Sequence, residues 1–328
     1  MKSIILNAPR SLIAGESNLP SLKEFEVRIK VKKTSICGSD IKNFYHPVLV
    51  PQIPGHEFSG KIVERTIRSQ DVVNIGDRVT LFPMIGCMEC CACKQRVYRD
   101  CESKLSIGFH LPGSFCEYIN VDSRFVIPLD DEISYEDGAL IEHLACGYRL
   151  VREMIKLKIQ SNCSIVIIGD GPIALANIQL LKVFGFNNIT LIGKHGIRMR
   201  YARKLGARHL FDYRHLPENL PLIDVCIFSA KADDTIKEII KYMRPNAFYF
   251  PQTRMNDYLF ENKKMTQFKW GRAFAYMIED FKAVMDLVKK RQLDTFSLVT
   301  KRVMFDDLAA IQAAFFKKDH QIKTIISF

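Results

Sequence analysis

The sequence predicts a mixed α/β protein with a β-rich domain and a domain built on a doubly wound parallel sheet. Its 328 residues exceed what one ordinary core serves, so two domains are expected. Short strands between Gly and Pro turns occupy residues 1 to about 130, whereas apolar strands alternate with helices from about residue 148. We therefore place the β-rich domain at 1–147, the doubly wound domain at 148–271 and a return to the first domain at 272–328.

The β-rich domain is indicated by strands in which apolar and polar residues alternate. Residues 25–31 and 115–121 alternate with period two, as a strand with one solvated face does. The stretch from Ser134 to Asp137 has the form of a capping box, which predicts a helix that begins there and continues through Cys146. In the return segment we expect a helix at 277–291, a strand at 298–303, a helix at 306–316 and a closing strand at 322–328.

The doubly wound domain begins with an apolar strand at 164–168 that leads directly into a glycine turn. The turn has the pattern G-x-G-x-x-A and opens an apolar helix, which is the context that a dinucleotide site requires. Its candidate cofactor-binding residues are Gly169, Gly171, Pro172, Ile173 and Ala174. A tight turn without a ligand is the alternative. Strands at 189–192, about 209–211 and 224–228, and a helix at about 198–205, extend the parallel pattern.

A cluster of cysteines in the loop 87–101 predicts a structural zinc site. Its spacing is C-x2-C-x2-C-x7-C, and its members are Cys87, Cys90, Cys93 and Cys101. Four thiolates at this spacing can reach one tetrahedral zinc ion at about 2.3 Å from each sulfur. Cys91 falls outside the register of the other four. A disulfide knot is the alternative, and it suits a short secreted chain better than this one.

The composition favours an anionic partner and argues against two other classes of partner. The chain has 47 basic and 36 acidic side chains and a formal charge of +11, but the basic residues are scattered, which counts against a nucleic-acid arm. No apolar run reaches the ~18 residues of a membrane span, and the hydrophobic start is too short for a secretory signal. We expect a cytoplasmic protein that binds neither membrane nor nucleic acid.

Five motifs follow one another in the order seen in zinc-dependent medium-chain dehydrogenases. They are Cys37-Gly38-Ser39-Asp40, Gly55-His56-Glu57, Gly76-Asp77-Arg78-Val79, the four-cysteine loop and the glycine turn. Over nearly its whole length the chain resembles the sorbitol and threonine dehydrogenase branch of this family, within the alcohol dehydrogenase superfamily. The resemblance implies a GroES-like catalytic domain interrupted by a Rossmann domain, a catalytic zinc between them, and a homodimer or homotetramer.

The resemblance also implies ligands for the catalytic zinc, which needs about three protein ligands and one open position. Cys37 and His56 match the first two ligands of the family. For the third we favour Glu142, because the segment that begins there resembles the Glu-Pro-Leu segment of polyol dehydrogenases, although His143 replaces the proline. Cys146 lies four residues on and is the rival ligand. A core histidine and a buried thiol are the alternative readings of His56 and Cys37.

Three further residues receive roles from the resemblance. Glu57 lies beside the metal and can ligate it transiently. Ser39 resembles the first proton-relay group, with an ordinary turn hydroxyl as the alternative. Arg272 matches in position an arginine of polyol dehydrogenases that faces the substrate, with a surface salt bridge as the alternative.

The choice of cofactor follows from charge at the end of the second strand of the doubly wound domain. An NAD site usually has an acidic residue about 20 residues beyond the glycine turn, where it binds the ribose 2′-hydroxyl. Residues 192–198 contain no carboxylate. Lys194, His195 and Arg198 would instead attract a 2′-phosphate, so NADP(H) is favoured over NAD(H). Solvated basic residues at the start of a surface helix are the alternative.

Three functional hypotheses result. The first is a zinc-dependent oxidoreductase that transfers a hydride between NADP(H) and a secondary alcohol or ketone of a polyol, sugar, amino-alcohol or sugar-phosphate substrate. The positive charge favours an anionic small molecule among these. The second is a nucleic-acid-binding zinc protein, which the few basic and aromatic residues near the cysteine loop argue against. The third is a family member that binds NADP without a catalytic metal.

Overall fold

Two sheets organise the protein, one in each of the units into which the chain divides. The computed structural model describes residues 1–69, 73–230, 233–253, 263–273, 275–316 and 321–328. The first unit comprises Met1–His143, Met277–Arg291 and Thr295–Phe328, and the second comprises Leu144–Tyr276 and Gln292–Asp294. The mixed α/β class is as predicted. The domain boundaries expected at 147 and 271 lie near the unit boundaries and stay predictions.

The strands and helices of the described residues are as follows. The strands are β1 Lys2–Ala8, β2 Ser11–Glu16, β3 Glu26–Ser35, β4 Glu57–Arg65, β5 Arg78–Leu81, β6 Met84–Ile85, β7 Leu105–Ser106, β8 Tyr118–Asp122, β9 Val126–Pro128, β10 Ile165–Ile168, β11 Ile189–Gly193, β12 His209–Asp212, β13 Ile223–Phe228, β14 Met243–Pro251, β15 Lys269–Trp270, β16 Val299–Met304 and β17 Lys323–Ser327. The helices are α1 Gly38–Tyr45, α2 Cys91–Lys94, α3 Tyr135–Gly138, α4 Ile141–Lys156, α5 Pro172–Val183, α6 Gly196–Leu205, α7 Asp233–Ile239, α8 Ile278–Lys289 and α9 Leu308–Phe316.

The first unit is built on a sheet whose described strands run in the order β16-β17-β3-β4-β5-β9, with β8 also paired to β3. The alternation predicted for β3 is confirmed, because Val27, Ile29 and Val31 are buried on one face. β3 pairs antiparallel with β4 on one side and with β17 on the other. This arrangement brings residues from the start of β4 and from the end of the chain to the same part of the sheet.

Helix α1 is held in the first unit by an aromatic cluster. The ring of Phe44, near the end of α1, lies 5.0 Å from the ring of Phe315 in α9, measured between centroids. Phe115 belongs to the same buried cluster. Because α1 is anchored through its last turn, its first turn, where the motif at 37–40 lies, has a fixed position beside the sheet.

The helix predicted between Ser134 and Cys146 is two helices. The capping box itself is confirmed, because the Ser134 hydroxyl accepts a hydrogen bond from the backbone N–H of Asp137 at 3.0 Å. That first helix, α3, ends at Gly138, and α4 begins at Ile141. Asp137 supplies the box and also accepts a hydrogen bond from the Thr295 hydroxyl at 2.5 Å, which ties this short turn to the return segment. The prediction of one continuous helix was wrong.

The second unit contains the predicted doubly wound sheet. Its described strands run in the order β12-β11-β10-β13-β14-β15, and every pair is parallel. All four residues of β10 are buried, which explains why this strand reads as a continuous apolar run. Strand order reverses between β10 and β13, and ligands of such sheets bind at this point beyond the carboxyl ends of the strands. Among the described helices of the chain, none is long and apolar enough to cross a membrane.

Candidate active site

Three side chains of the first unit converge on one point. A thiol sulfur, a ring nitrogen and a carboxylate oxygen, from Cys37, His56 and Glu57, all lie within 4.8 Å of one another. Cys37 is the residue at which α1 begins, and Glu57 is the first residue of β4. The structure therefore brings together the two residues that sequence reasoning proposed as the first two zinc ligands, and it adds the carboxylate next to the histidine.

One carboxylate positions both Cys37 and His56. Asp40 Oδ2 accepts the backbone N–H of Cys37 at 2.9 Å, and Asp40 Oδ1 lies 3.2 Å from His56 Nδ1 as an ion-pair contact. Metal-ligating histidines usually place their second ring nitrogen against a carboxylate in this way, which fixes the ring orientation. His56 Nε2 is thereby left for a ligand, and Ser39 Oγ lies 3.4 Å from it.

Burial and neighbouring charges together set the pKa values of Cys37 and His56. Burial raises the pKa of the Cys37 thiol, and the charge of Glu57 raises it further. Burial acts to lower the pKa of His56, but the nearby Asp40 outweighs it, and the pKa of His56 is raised well above its ordinary value. A divalent cation binds thiolate and neutral imidazole, so its binding would release these protons.

The contacts of the two Glu57 carboxylate oxygens indicate that a metal ion would fit this site. Its Oε2 atom contacts the Ser35 hydroxyl and the Lys323 ammonium group. Its Oε1 atom is buried and lacks a hydrogen-bond partner among the described residues. A buried carboxylate oxygen without a partner is costly, and a cation beside Cys37 and His56 would satisfy it. Thiolate, imidazole and carboxylate form a donor set that suits zinc with one position open.

The structure does not bring Glu142 into this donor set. Glu142 is buried near the start of α4, and its charge contributes to the raised pKa of Lys323, after the larger contributions of Glu57 and Cys37 and against the effect of burial. Cys146 is half-buried, further along α4, and falls in the second unit. The roles of Glu142 and of Cys146 as third ligand stay predictions.

The four cysteines of the loop 87–101 also converge. The sulfurs of Cys87, Cys90, Cys93 and Cys101 all lie within 4.8 Å of one another, and every one is a free thiol. Backbone N–H groups of Cys90 and Cys93 donate to the sulfurs of Cys87 and Cys90, each at 3.4 Å. Such hydrogen bonds lower the pKa of Cys87 to about 6, whereas burial raises the pKa of Cys93 to about 12. Cys91 is exposed and outside the group.

The glycine turn of the second unit forms the predicted strand-to-helix connection. Gly169 has φ +106°, and a Cβ there would lie 2.6 Å from the Cβ of Ala230, so the turn requires glycine. Gly171 caps α5, which starts with Pro172 and continues through Ile173 and the buried Ala174. The turn lines a cavity of about 590 Å³. The other residues that line it include Asp170, Gly193, Lys194, His195, Arg198, Tyr213, Asp234 and Thr235.

Sequence reasoning missed one residue of this cavity. The carboxylate of Asp170 accepts the backbone N–H groups of Lys194 at 2.8 Å and His195 at 2.6 Å, and it pairs with His195 Nδ1 at 2.8 Å. Residues 192–198 contain no carboxylate of their own, but the carboxylate of Asp170 reaches the end of the second strand from the glycine turn. The signal in the sequence was an aspartate inside that turn together with a glycine, Gly193, at the end of the strand.

Arg272 lies in the second unit, just after β15, and is exposed. An arginine at such a position can contact a ligand or form a surface ion pair. Its role toward a substrate stays a prediction.

Similarity to known proteins agrees with this arrangement. Residues 23–131 match the alcohol dehydrogenase GroES-like domain. The chain is 32% identical over 221 residues to sorbitol dehydrogenase of Bacillus subtilis (strain 168), which is 65% of this chain and 62% of that protein. It is 36% identical over 219 residues to D-arabitol-phosphate dehydrogenase of Enterococcus avium, with 65% and 61% covered. These matches identify a GroES-like domain of the alcohol dehydrogenase type at residues 23–131 and a likeness to polyol dehydrogenases over 65% of the chain.

Solved structures extend the likeness in fold to the full length of the chain. A short chain alcohol dehydrogenase from E. coli CFT073, complexed with cofactor NADH, superposes with a TM-score of 0.86. The superposition covers 100% of this chain and 99% of that one at 24% identity. The matches to the sorbitol and arabitol-phosphate enzymes span less than two thirds of those proteins. They show similarity over part of those proteins, and the reaction of this chain is a separate question.

Proposed function

We propose that this protein is a zinc-dependent oxidoreductase that transfers a hydride between a nicotinamide dinucleotide and a secondary alcohol or ketone of polyol or sugar type. The observation that carries the proposal is the convergence of Cys37, His56 and Glu57, together with a buried Glu57 oxygen that has no hydrogen-bond partner in the described part of the chain. The same chain has a glycine turn at the reversal point of a parallel sheet, where dinucleotides bind. A metal centre and a dinucleotide site together are what this reaction class needs.

The residues of the metal centre have distinct tasks in this proposal. Cys37, His56 and a carboxylate hold the zinc ion, which supplies a Lewis acid for the substrate oxygen. Asp40 fixes the orientation of the His56 ring and the position of the residue that precedes α1. Ser39, whose hydroxyl lies 3.4 Å from His56 Nε2, accepts the proton of the substrate hydroxyl and passes it toward solvent. Hydride chemistry itself belongs to the nicotinamide.

The cofactor lies along the turn at Gly169 to Ala174, and NADP(H) is our proposed preference over NAD(H). Lys194, His195 and Arg198 line the cavity next to this turn and supply the positive charge that a 2′-phosphate needs. The negative charge of Asp170 in the same cavity limits that preference.

For the substrate we propose a polyol or a phosphorylated polyol. Two relatives of the chain are named for sorbitol and for D-arabitol-phosphate. A formal charge of +11 favours the phosphorylated class, and Arg272 is the proposed contact to it. The homodimer or homotetramer and the cytoplasmic location expected from the sequence stay predictions.

Substrate oxidation with NADP⁺ or NAD⁺ tests this function directly. Polyols, amino alcohols and their phosphates are offered to the protein, and the absorbance of the reduced nicotinamide is followed, with ketoses and the reduced cofactors in the reverse direction. We expect turnover of at least one polyol or polyol phosphate. Loss of turnover in both Cys37→Ser and His56→Ala, with two zinc ions per wild-type chain, would support the assignment. One zinc per chain and no turnover of any compound would favour a family member without catalytic metal.

A further inference from the structure

Asp170 lies where the structure gathers groups that bind anions. Its Oδ2 atom accepts the backbone N–H groups of Lys194 and His195, the two residues just before α6. Its Oδ1 atom faces His195 Nδ1 at 2.8 Å and an Arg198 nitrogen at 4.0 Å. Only 6% of its side chain is exposed. Backbone N–H groups at a helix N-terminus, an imidazole and a guanidinium are also the groups that hold phosphate.

The neighbouring glycine explains how this carboxylate fits. A Cβ at Gly193, the last residue of β11, would lie 2.7 Å from the Cβ of Asp170 and 2.8 Å from its Oδ2 atom. A side chain at 193 and the observed position of Asp170 therefore exclude each other. In NAD sites the acidic residue stands at the end of this second strand. Here glycine stands there, and the carboxylate comes from the turn after the first strand.

The hydrogen bonds of Asp170 show which of two tasks the carboxylate performs. If it bound the ribose hydroxyls, its oxygens would face the cavity with free lone pairs. Instead two backbone N–H groups and an imidazole nitrogen of its own chain already occupy it. These are the donors that a 2′-phosphate would need. A phosphate next to the carboxylate would in addition meet a like charge.

We propose that Asp170 is an internal anion that competes with the 2′-phosphate of NADP(H) for the donors at the end of β11. It is thus the residue that sets the balance between NADP(H) and NAD(H). This inference rests on the dinucleotide site of the proposed function. It predicts that removal of the Asp170 charge strengthens binding of a 2′-phosphorylated nucleotide and leaves other nucleotides nearly unaffected.

Two adenine nucleotides test this inference by binding alone, without a measurement of enzyme activity. Adenosine 2′,5′-bisphosphate carries the extra phosphate, and adenosine 5′-monophosphate lacks it. Their dissociation constants for the full chain are measured by calorimetry for wild type and Asp170→Asn. We expect the variant to bind the bisphosphate about tenfold more tightly, because the substitution removes the repulsion between the Asp170 carboxylate and the 2′-phosphate. The monophosphate lacks this phosphate, so its affinity should stay within about twofold of wild type. Neither probe needs zinc, substrate or nicotinamide.

A matched control and a second variant complete the design. Glu238→Gln removes an exposed carboxylate of the same unit that pairs with Lys241 at 3.2 Å and does not line the cavity, and both affinities should stay within about twofold. Gly193→Ala keeps the carboxylate but places a methyl group against it, so it should displace Asp170 and change the ratio in the same direction as Asp170→Asn. Thermal melting reports whether each variant is folded.

The outcomes distinguish the inference from the function it rests on. If both probes bind and Asp170→Asn leaves the ratio of their affinities unchanged, the role of Asp170 is wrong while the nucleotide site stands. If Asp170→Asn weakens both probes, Asp170 is instead a ribose acceptor or a structural cap, and the inference is overturned. If neither probe binds wild type or any folded variant, the dinucleotide site fails, and the proposed function fails with it.

Discussion

The ammonium group of Lys323 lies against the carboxylate of Glu57, and neither side chain is exposed beyond 1%. The sheet brings them together, because Ser35 of β3 pairs with Glu57 in β4 on one side and with Ile325 in β17 on the other. The last strand of the chain therefore delivers a positive charge to the edge of the candidate metal site. Glu57 keeps one oxygen on this partner, and its other oxygen is buried without a hydrogen-bond partner among the described residues.

Replacement of Lys323 by Met should strongly destabilise the protein. It leaves the Glu57 carboxylate buried without its cation, and breaking a buried pair from one side costs about 3–5 kcal/mol. Urea unfolding measures the loss. The double variant Lys323→Met with Glu57→Gln removes both charges and should recover a good part of the stability. A single variant as stable as wild type, or a double variant no better than the single, would contradict the pairing.

The cysteine loop should hold one zinc ion that stabilises the first unit. Cys101→Ser removes a buried member of the group, so zinc per chain should fall by about one and the free energy of unfolding by about 3 kcal/mol or more. Elemental analysis and urea unfolding provide the two measurements. Cys91→Ser is the matched control, since Cys91 is exposed and outside the group. Equal zinc content in both variants would show that the loop holds no metal.

Local spacing made much of this molecule predictable from its sequence. The four thiols lie in one short loop, whereas the meeting of Cys37 and His56 was expected from the family resemblance and not from spacing. The contacts of Asp170 could not be predicted from local spacing. Its partners, Lys194 and His195, are local to another strand, and only the parallel pairing of β10 with β11 brings them together. A contact between strand ends depends on the sheet order, which spacing alone does not encode.

The position of the carboxylate beside the candidate metal site also depends on contacts between distant parts of the chain. Sequence reasoning proposed Glu142 as the third zinc ligand by its local match to a family segment, and that role stays a prediction. The structure adds the carboxylate of Glu57 beside Cys37 and His56. The β3–β4 register and the pairing with Lys323 decide the position of Glu57, and these are long-range features. The break between α3 and α4 could not be predicted from the sequence either, because the apolar pattern continues across it.

Cobalt substitution can identify that third ligand. In the cobalt-loaded protein, visible absorption reports the donors around the ion. We expect Glu57→Gln to change the spectrum and weaken metal binding, because it alters an atom within 4.8 Å of both other donors. Glu142→Gln and Cys146→Ser should leave the spectrum near that of wild type. A spectrum that changes only with Glu142→Gln would restore the ligand chosen from the sequence, and a loss of thiolate intensity with Cys146→Ser would favour its rival.

Asp40 should control metal affinity without touching the metal. Its two oxygens hold the backbone of Cys37 and the ring of His56. Asp40→Asn retains an acceptor for the Cys37 N–H but removes the charge that faces His56 Nδ1. Loss of such an orienting carboxylate typically weakens metal binding by about 10–100-fold.

Competition with a chelator measures the zinc dissociation constant of Asp40→Asn, and the circular dichroism spectrum checks that α1 remains intact. Asp77→Asn is the control, since Asp77 accepts the backbone N–H of Asn74 at 2.7 Å in an exposed turn away from the site. Its zinc affinity should equal that of wild type. If Asp40→Asn binds zinc as tightly as wild type does, the Asp40 charge is not needed to orient His56. The packing of the His56 ring against Phe109, with ring centroids 5.3 Å apart, would then be sufficient.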